Sequence, residues 1–147
     1  MGTRSLTTFI EVYKYKDQKG KQVAKTSKIV TMYRQYDGYP EGHGLELAKF
    51  LSGGKMVNGI SLAETGLVFN GMGCLAAQCV AHFKDGPGGF YLHRGGTTGC
   101  GEEYLYKVIG NGPDKDLTLI CQDVYDKNVI FKGTPKEFIE KYSKVNA

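Results

Sequence analysis

Arginine, histidine and tyrosine are concentrated in residues 33–44, which read YRQYDGYPEGHG and are called here the tyrosine-rich segment. Arg34 and His43 can donate hydrogen bonds to an anion, and three phenol rings can stack against a flat group. These rings belong to Tyr33, Tyr36 and Tyr39. The glycines allow backbone amides to approach a ligand, and the helix predicted to follow offers N-terminal amides that favour negative charge. The segment predicts a site for a small anionic, nucleotide-like ligand; the alternative is that the tyrosines are packing residues in a simple chain turn.

A second glycine motif, G-x-G-x-x-A, begins at Gly71 after a short strand-like run and leads into a predicted helix. In a dinucleotide-binding fold, this spacing brings backbone amides to a pyrophosphate, and Arg94, at the end of the following strand, lies where such folds read the ribose or its 2′-phosphate. Only one strand-helix-strand unit is visible, however. The motif therefore favours a simpler anion site at the helix N-terminus, formed by Gly71 and Gly73, over a complete dinucleotide fold.

His93 and Arg94 end a predicted strand and enter a further glycine-rich loop. The ordinary interpretation of that loop is a hairpin turn with exposed His and Arg side chains. If it converges with the tyrosine-rich segment, Arg34, His43, His93 and Arg94 form one basic pocket rimmed by tyrosines. This convergence is the spatial hypothesis on which the predicted ligand site depends.

Cys74 lies near the start of the same predicted helix, where a thiol can be activated as a nucleophile. His82 is eight residues further along, about 12 Å down the helix axis, which is too far for a catalytic pair. A base would have to be His43 or His93, brought close by the fold. This gives the enzymatic alternative, a cysteine-dependent hydrolase or transferase, whereas the ordinary role of a free cysteine is packing.

The spacing of apolar residues outlines the elements that must position these groups. Two strands are predicted to form a hairpin, followed by two helices, four strands in an antiparallel meander and a last helix. The strands are expected at 3–15, 27–36, 89–94, 103–109, 117–125 and 128–132, and the helices near 47–51, at 72–84 and after Thr134. Thr134 and Glu137 form a capping box, with Pro135 at the first helical position. The order ββααββββα predicts a single α+β domain, 1–147, with helices on one face of a mostly antiparallel sheet of about five or six strands.

Charge and composition restrict the class of protein. The formal charge is +4, and lysines around Gly20 supply much of it; they indicate a solvated hairpin tip or, alternatively, a clamp for a phosphate-bearing partner. No nucleic-acid-binding module is recognisable, so no specific nucleic-acid partner is predicted. The four cysteines form no C-x-x-C pair and the acids are scattered, so neither metal nor cofactor is predicted. Short apolar runs and a polar N-terminal stretch predict a cytoplasmic protein without a membrane partner.

Thr3-Arg4-Ser5, the tyrosine-rich segment and residues 70–75 together show a wider resemblance. In these stretches the sequence resembles a group of small uncharacterised proteins from phages, large DNA viruses and bacteria, and the resemblance spans most of the chain. It implies a viral origin and, by analogy with small viral proteins that neutralise host molecules, sequestration of a host immune signal in the host cytoplasm. No catalytic or binding residue carries over from the group.

The patterns together predict a non-enzymatic binding protein for a small anionic ligand, with no catalytic residue. A homo-oligomer is expected, because exposed edges of a small sheet need cover and ligand sites often lie between subunits. A third hypothesis, from a different class, is an inhibitor or assembly component that contacts a protein through its aromatic loop and takes no small ligand.

Overall fold

The computed structural model describes residues 2–60 and 66–143, and a long hairpin is at the centre of its main sheet. Strand β1 (Ser5–Lys16) pairs antiparallel with β2 (Gln22–Arg34). Alternation of side chains places Phe9 and Met32 on one face of this pair and Thr8 and Thr31 on the other. All four are buried. The predicted hairpin is confirmed, and both of its faces are covered at this end.

Beyond the hairpin the chain forms helices and short strands in the predicted order, with two small strands added between the first two helices. A π-helical turn (Pro40–Gly44) runs into α1 (Leu45–Ser52), followed by β3 (Lys55–Val57), β4 (Val68–Asn70), α2 (Gly71–Phe83), β5 (Phe90–Arg94), β6 (Tyr104–Gly110), β7 (Thr118–Asp123), β8 (Asn128–Gly133) and α3 (Pro135–Ser143). The main sheet has six strands in the order β5-β2-β1-β6-β7-β8, and all its pairs are antiparallel except β1 with β6. This is the predicted α+β architecture.

The three helices pack on one face of the sheet and enclose the core with it. Leu47 of α1, Leu75 of α2 and Phe138 of α3 are fully buried in one apolar cluster with Phe9 and Tyr106 of the sheet. The apolar side of α2 faces this core. Its member Cys79 is fully buried and is a packing residue, and the burial raises the pKa of its thiol to about 12.

The position of β5 differs from the prediction. Strands β6, β7 and β8 form the expected antiparallel meander, but β5 lies at the opposite edge of the sheet, paired with β2. The connection from β5 to β6 crosses the face without helices: the Gly96 amide donates to Thr31 Oγ1 at 2.9 Å, and the Glu103 amide donates to the Arg4 carbonyl at 2.9 Å. This loop supplies cover for the second face, so the predicted four-stranded meander is wrong in its first strand.

The glycine motif at the start of α2 follows a real strand, as predicted, but that strand does not belong to the main sheet. Among the described residues, β4 pairs only with β3, in a separate two-stranded parallel sheet. A doubly wound fold needs several parallel strands alternating with helices, so a complete dinucleotide-binding fold is not formed. No helix in the described ranges is long and apolar enough to cross a membrane.

The capping box of α3 forms as predicted and gives a direct test of local stability. The Glu137 amide donates to Thr134 Oγ1 at 3.2 Å, and the Thr134 amide donates to Glu137 Oε1 at 2.8 Å. We expect Thr134→Ala to lower the free energy of unfolding by about 1 kcal/mol, because it leaves a helix N-terminal amide without its partner. Urea denaturation measures the loss. Thr98→Ala, in an exposed loop, is the matched control, and an equal loss in both variants would contradict the assignment.

Candidate functional site

Arg34 ends β2 and occupies the edge of the helix-covered face. Its neighbours across the two strand pairs are Ser5 of β1 and Phe90 of β5. The guanidinium group lies 5.2 Å from the centre of the Phe90 ring and 5.9 Å from that of Phe83, within the range of cation–π attraction. Its Nη1 donates to Glu46 Oε2 at 2.7 Å; the Arg34 side chain is 12% exposed and that of Glu46 is 52% exposed. The cation is therefore nearly buried, whereas its carboxylate partner is accessible to solvent.

Behind Arg34, His43 connects the guanidinium to the core. His43 is fully buried, with Nδ1 at 3.2 Å from Arg34 Nη1 and Nε2 at 2.8 Å from Thr7 Oγ1. Because a guanidinium only donates, Nδ1 must accept, so the ring proton is on Nε2 and is donated to Thr7. Burial, and secondarily the charge of Arg34, lower the His43 pKa to about 3. At neutral pH the ring is uncharged and orients Arg34 without competing for an anion.

An open groove of about 590 Å³ extends from Arg34 between the C-terminal end of α2 and α1. Its aromatic wall includes Phe50 and His82, whose rings are stacked with centroids 4.5 Å apart at 25°. The wall continues to Phe83 and Phe90, with centroids 5.6 Å apart. The lining residues are Arg34, Glu46, Lys49, Phe50, His82, Phe83, Asp85 and Phe90. The volume lies in the range typical of small-molecule sites.

Of the predicted ligand residues, the structure brings Arg34 and His43 together but separates the others. Tyr33 and His93 lie on the opposite face of the sheet, because Tyr33 is one residue from Arg34 and His93 is three residues from Phe90, the groove-facing positions of the two strands. Their rings pack against each other at 6.2 Å, and the Tyr33 hydroxyl donates to Gln35 Oε1 at 2.6 Å. The predicted convergence of the two loops around a single tyrosine-rimmed pocket is therefore wrong.

The remaining predicted aromatic and arginine side chains also lie outside the groove. Tyr36 is exposed, and its ring packs against the backbone of Gly2. The hydroxyl of Tyr39 is 3.5 Å from Asp37 Oδ1. Arg94 pairs with Val30 on the same face as Arg34, but four residues along the strand, or about 13 Å. Phenylalanines and His82 provide the rings that the sequence led us to expect from tyrosines.

The glycines of the tyrosine-rich segment serve close packing. A Cβ atom on Gly44 would lie 2.5 Å from Phe138 Cζ, and one on Gly38 would lie 2.8 Å from Ser5 Cβ. The α1 N-terminus is also occupied, because the π-helical turn precedes it and the Leu45 amide bonds to carbonyls of that turn. The predicted backbone amides for an anion are therefore engaged inside the protein at this point.

Gly71 and Gly73 begin α2 as predicted. Gly71 lines a second groove of about 190 Å³, to which Glu11 also contributes. Glu11 is the one charged residue in its lining among the described residues, so this groove offers an anion no cation, and Gly73 is not part of the lining. A third groove, of about 500 Å³, contains Lys55, Lys136 and Asp114 but has no aromatic side chain in its lining. Neither groove combines a nearly buried cation with rings, so the Arg34 groove is the better candidate.

Cys74, the proposed nucleophile of the enzymatic alternative, has no histidine partner in the part of the chain described. Gln78 Nε2 donates to its sulfur at 3.0 Å. Both ring nitrogens of His43 are engaged with Thr7 and Arg34, and His93 lies on the far face of the sheet. The geometry that the cysteine mechanism requires is therefore not formed. No group of three metal-ligating side chains was found within residues 2–60 and 66–143.

Sequence reasoning missed most of the groove wall. From the sequence, His82 is considered only as a partner for Cys74, and its adjacency to Phe83 at a helix end is the one local signal for the wall. Phe90 reaches Arg34 only because β5 pairs with β2, and Phe50 reaches His82 only because α1 packs beside α2. No family model, no curated protein and no solved structure matches the chain.

Proposed function

We propose that the Arg34 groove binds a small, flat anionic ligand of the nucleotide class, without turning it over. The observation that supports this most directly is the state of Arg34. A nearly buried guanidinium is held from behind by a neutral histidine, and its carboxylate partner is half exposed. A phosphate can replace that carboxylate, since both are bound by a guanidinium through paired hydrogen bonds.

Arg34 has enough free donors for this exchange. Nη1 donates its two protons to His43 and Glu46. The three remaining N–H groups, on Nε and Nη2, have no hydrogen-bond partner in residues 2–60 and 66–143. A phosphate entering the groove can accept from them while the bond to His43 persists. Lys49, at the rim, adds a second cation.

The flat part of the ligand would stack on the aromatic wall. Phe50 and His82 form a stacked pair at 25° and both line the groove, which supports stacking of a planar group along this side. Such stacking contributes about 1–3 kcal/mol per base in nucleic-acid sites. Arg34 and Lys49 are balanced by Glu46 and Asp85, so the groove is close to neutral. A small charge together with a planar group therefore suits it better than a polyanion.

An equilibrium panel tests the proposal. Titration calorimetry with linear and cyclic mononucleotides, cyclic dinucleotides, inorganic phosphate and an uncharged nucleoside separates the contributions of charge and ring. We expect a nucleotide to bind more tightly than either phosphate or the nucleoside, and to be recovered unchanged afterwards. Absence of binding by every member at millimolar concentration removes the proposal, and chemical conversion of the ligand contradicts its non-enzymatic part.

Replacing the competing carboxylate should strengthen binding. We expect Glu46→Gln to tighten nucleotide binding by up to about fivefold, because the free energy of an exposed ion pair, up to about 1 kcal/mol, no longer has to be given up. Calorimetry on the wild type and the variant measures the change. Glu140→Gln, on the exposed side of α3, is the matched control and should leave affinity unchanged. Equal or weaker binding by Glu46→Gln contradicts replacement of this carboxylate by phosphate.

The resemblance to phage and virus proteins favours a sequestering role for such a binder, in which a host nucleotide signal is held and withheld from its receptor. This extension rests on the groove and on the resemblance together. The protein-binding hypothesis predicts, in contrast, that the whole nucleotide panel fails to bind.

A further inference from the structure

The far end of the β1–β2 hairpin projects beyond the sheet. Pairing of β1 with β6 ends at Glu11, and pairing of β2 with β5 begins at Val30. Residues 12–28, called here the ribbon, therefore find strand partners only within the β1–β2 hairpin in the described chain. Most of their side chains are exposed. The ribbon adds nothing to the core, so its composition is free to serve a surface role.

The ribbon holds the positive charge of the protein. It has six lysines and one acidic residue, whereas the other 130 residues have 13 basic and 14 acidic ones. The lysines are Lys14, Lys16, Lys19, Lys21, Lys25 and Lys28. The acidic residue, Asp17, accepts hydrogen bonds from the backbone amides of Lys19 and Lys21, and these bonds fix the turn. None of these lysines forms a salt bridge with a described residue. Because the ribbon is thin, the lysine charges on its two faces lie within about one Debye length of each other, about 10 Å, and act together.

Two exposed aromatic rings accompany this charge. Tyr13 and Tyr15 are 46% and 49% exposed and lie on the same face of the ribbon, about 7 Å apart along the strand. Lys25 lies directly across from Tyr13. Aromatic rings interleaved with cations are the features by which proteins bind single strands, because unpaired bases stack on the rings while phosphates meet the cations.

We propose that the ribbon binds single-stranded nucleic acid without reading its sequence. The exposed rings favour a single strand over a duplex, whose bases already stack on one another. This surface is separate from the nucleotide groove: Arg34 is six residues beyond Lys28 on β2, about 20 Å away along the strand. The proposal also agrees with the lack of a recognisable sequence-reading module.

Fluorescence anisotropy with a labelled oligothymidylate of about 20 nucleotides tests the charge component. We expect binding at 50 mM KCl that weakens steeply towards 200 mM. Replacing three ribbon lysines (K14Q, K16Q and K21Q together) should reduce the slope of log K against log salt by about 2, since each contact with a single strand contributes about 0.7. The matched control replaces three exposed lysines elsewhere (K115Q, K132Q and K136Q). Absence of binding at 50 mM KCl, or equal effects of the two triple variants, overturns the proposal.

The tyrosines test the choice of a single strand. We expect Tyr13→Ala and Tyr15→Ala each to weaken oligothymidylate binding by at least about fivefold while leaving duplex binding unchanged. Both side chains are outside the core, and circular dichroism verifies the fold. Unchanged single-strand affinity in both variants, or tighter wild-type binding to a duplex of equal length, overturns the assignment. Arg34→Gln should leave this binding intact, so that a failure of the groove proposal is distinguishable from a failure of this one.

Discussion

Lowering the pH from 7 to 5 is expected to reduce the free energy of unfolding by about 2 kcal/mol through His43 alone. The folded-state pKa of this residue is about 3, held down by burial and by the Arg34 charge, against 6.5 in an unfolded chain. The unfolded state therefore takes up a proton below pH 6.5 and the folded state does not. Stability from this source is fully present above pH 6.5 and is lost progressively as the pH falls towards 3.

Denaturant unfolding at several pH values between 5 and 7 measures this loss. In His43→Asn, which keeps an acceptor near Arg34 but does not titrate, stability should be lower at pH 7, because side-chain volume is removed from the core. Between pH 7 and pH 5, however, the free energy of unfolding of this variant should fall by about 2 kcal/mol less than that of the wild type. The matched control His93→Gln, on the opposite face of the sheet, should retain the wild-type slope. Equal slopes of the free energy of unfolding against pH in the wild type and in His43→Asn would contradict a buried, neutral His43 ring.

Arg34→Gln is expected to weaken binding of the tightest nucleotide in the panel by at least about thirtyfold. Removing one partner of a largely buried charge-assisted contact costs about 2 kcal/mol or more, and each 1.4 kcal/mol is tenfold in affinity. The glutamine amide can still donate to His43 Nδ1, so the support behind the groove is kept. Calorimetry measures affinity, and circular dichroism verifies that the variant is folded.

Arg94→Gln is the matched control for that substitution. Arg94 has the same chemistry and lies on the same face of the β2–β5 pair, but about 13 Å along the strand and outside the groove lining. We expect its replacement to change affinity less than twofold. Equal losses in the two variants would indicate that general positive charge, rather than the built position of Arg34, attracts the ligand.

The sequence predicted the local elements well because their causes are local. Alternation of apolar residues marked β1 and β2, the i, i+3, i+4 spacing marked α2, and Thr134 with Glu137 marked the start of α3. Alternation along β2 also implied that Tyr33 and Arg34 face opposite sides of the strand. The expectation of one pocket containing both side chains conflicted with that pattern, and the structure follows the pattern.

The composition of the site was decided by contacts between distant parts of the chain. Arg34 meets Phe90, 56 positions later, because β5 joins the sheet beside β2. Local propensity could not decide whether β5 pairs with β2 or with β6, because the alternation of side chains along a strand of five residues is the same in either position. The difference lies in the burial achieved once helices cover one face and the returning loop covers the other. The sequence thus determined which residues form strands and helices and on which side of a strand each residue lies. Only the tertiary structure determined which of those sides meet, because the free energy of burial depends on surfaces brought together from the whole chain.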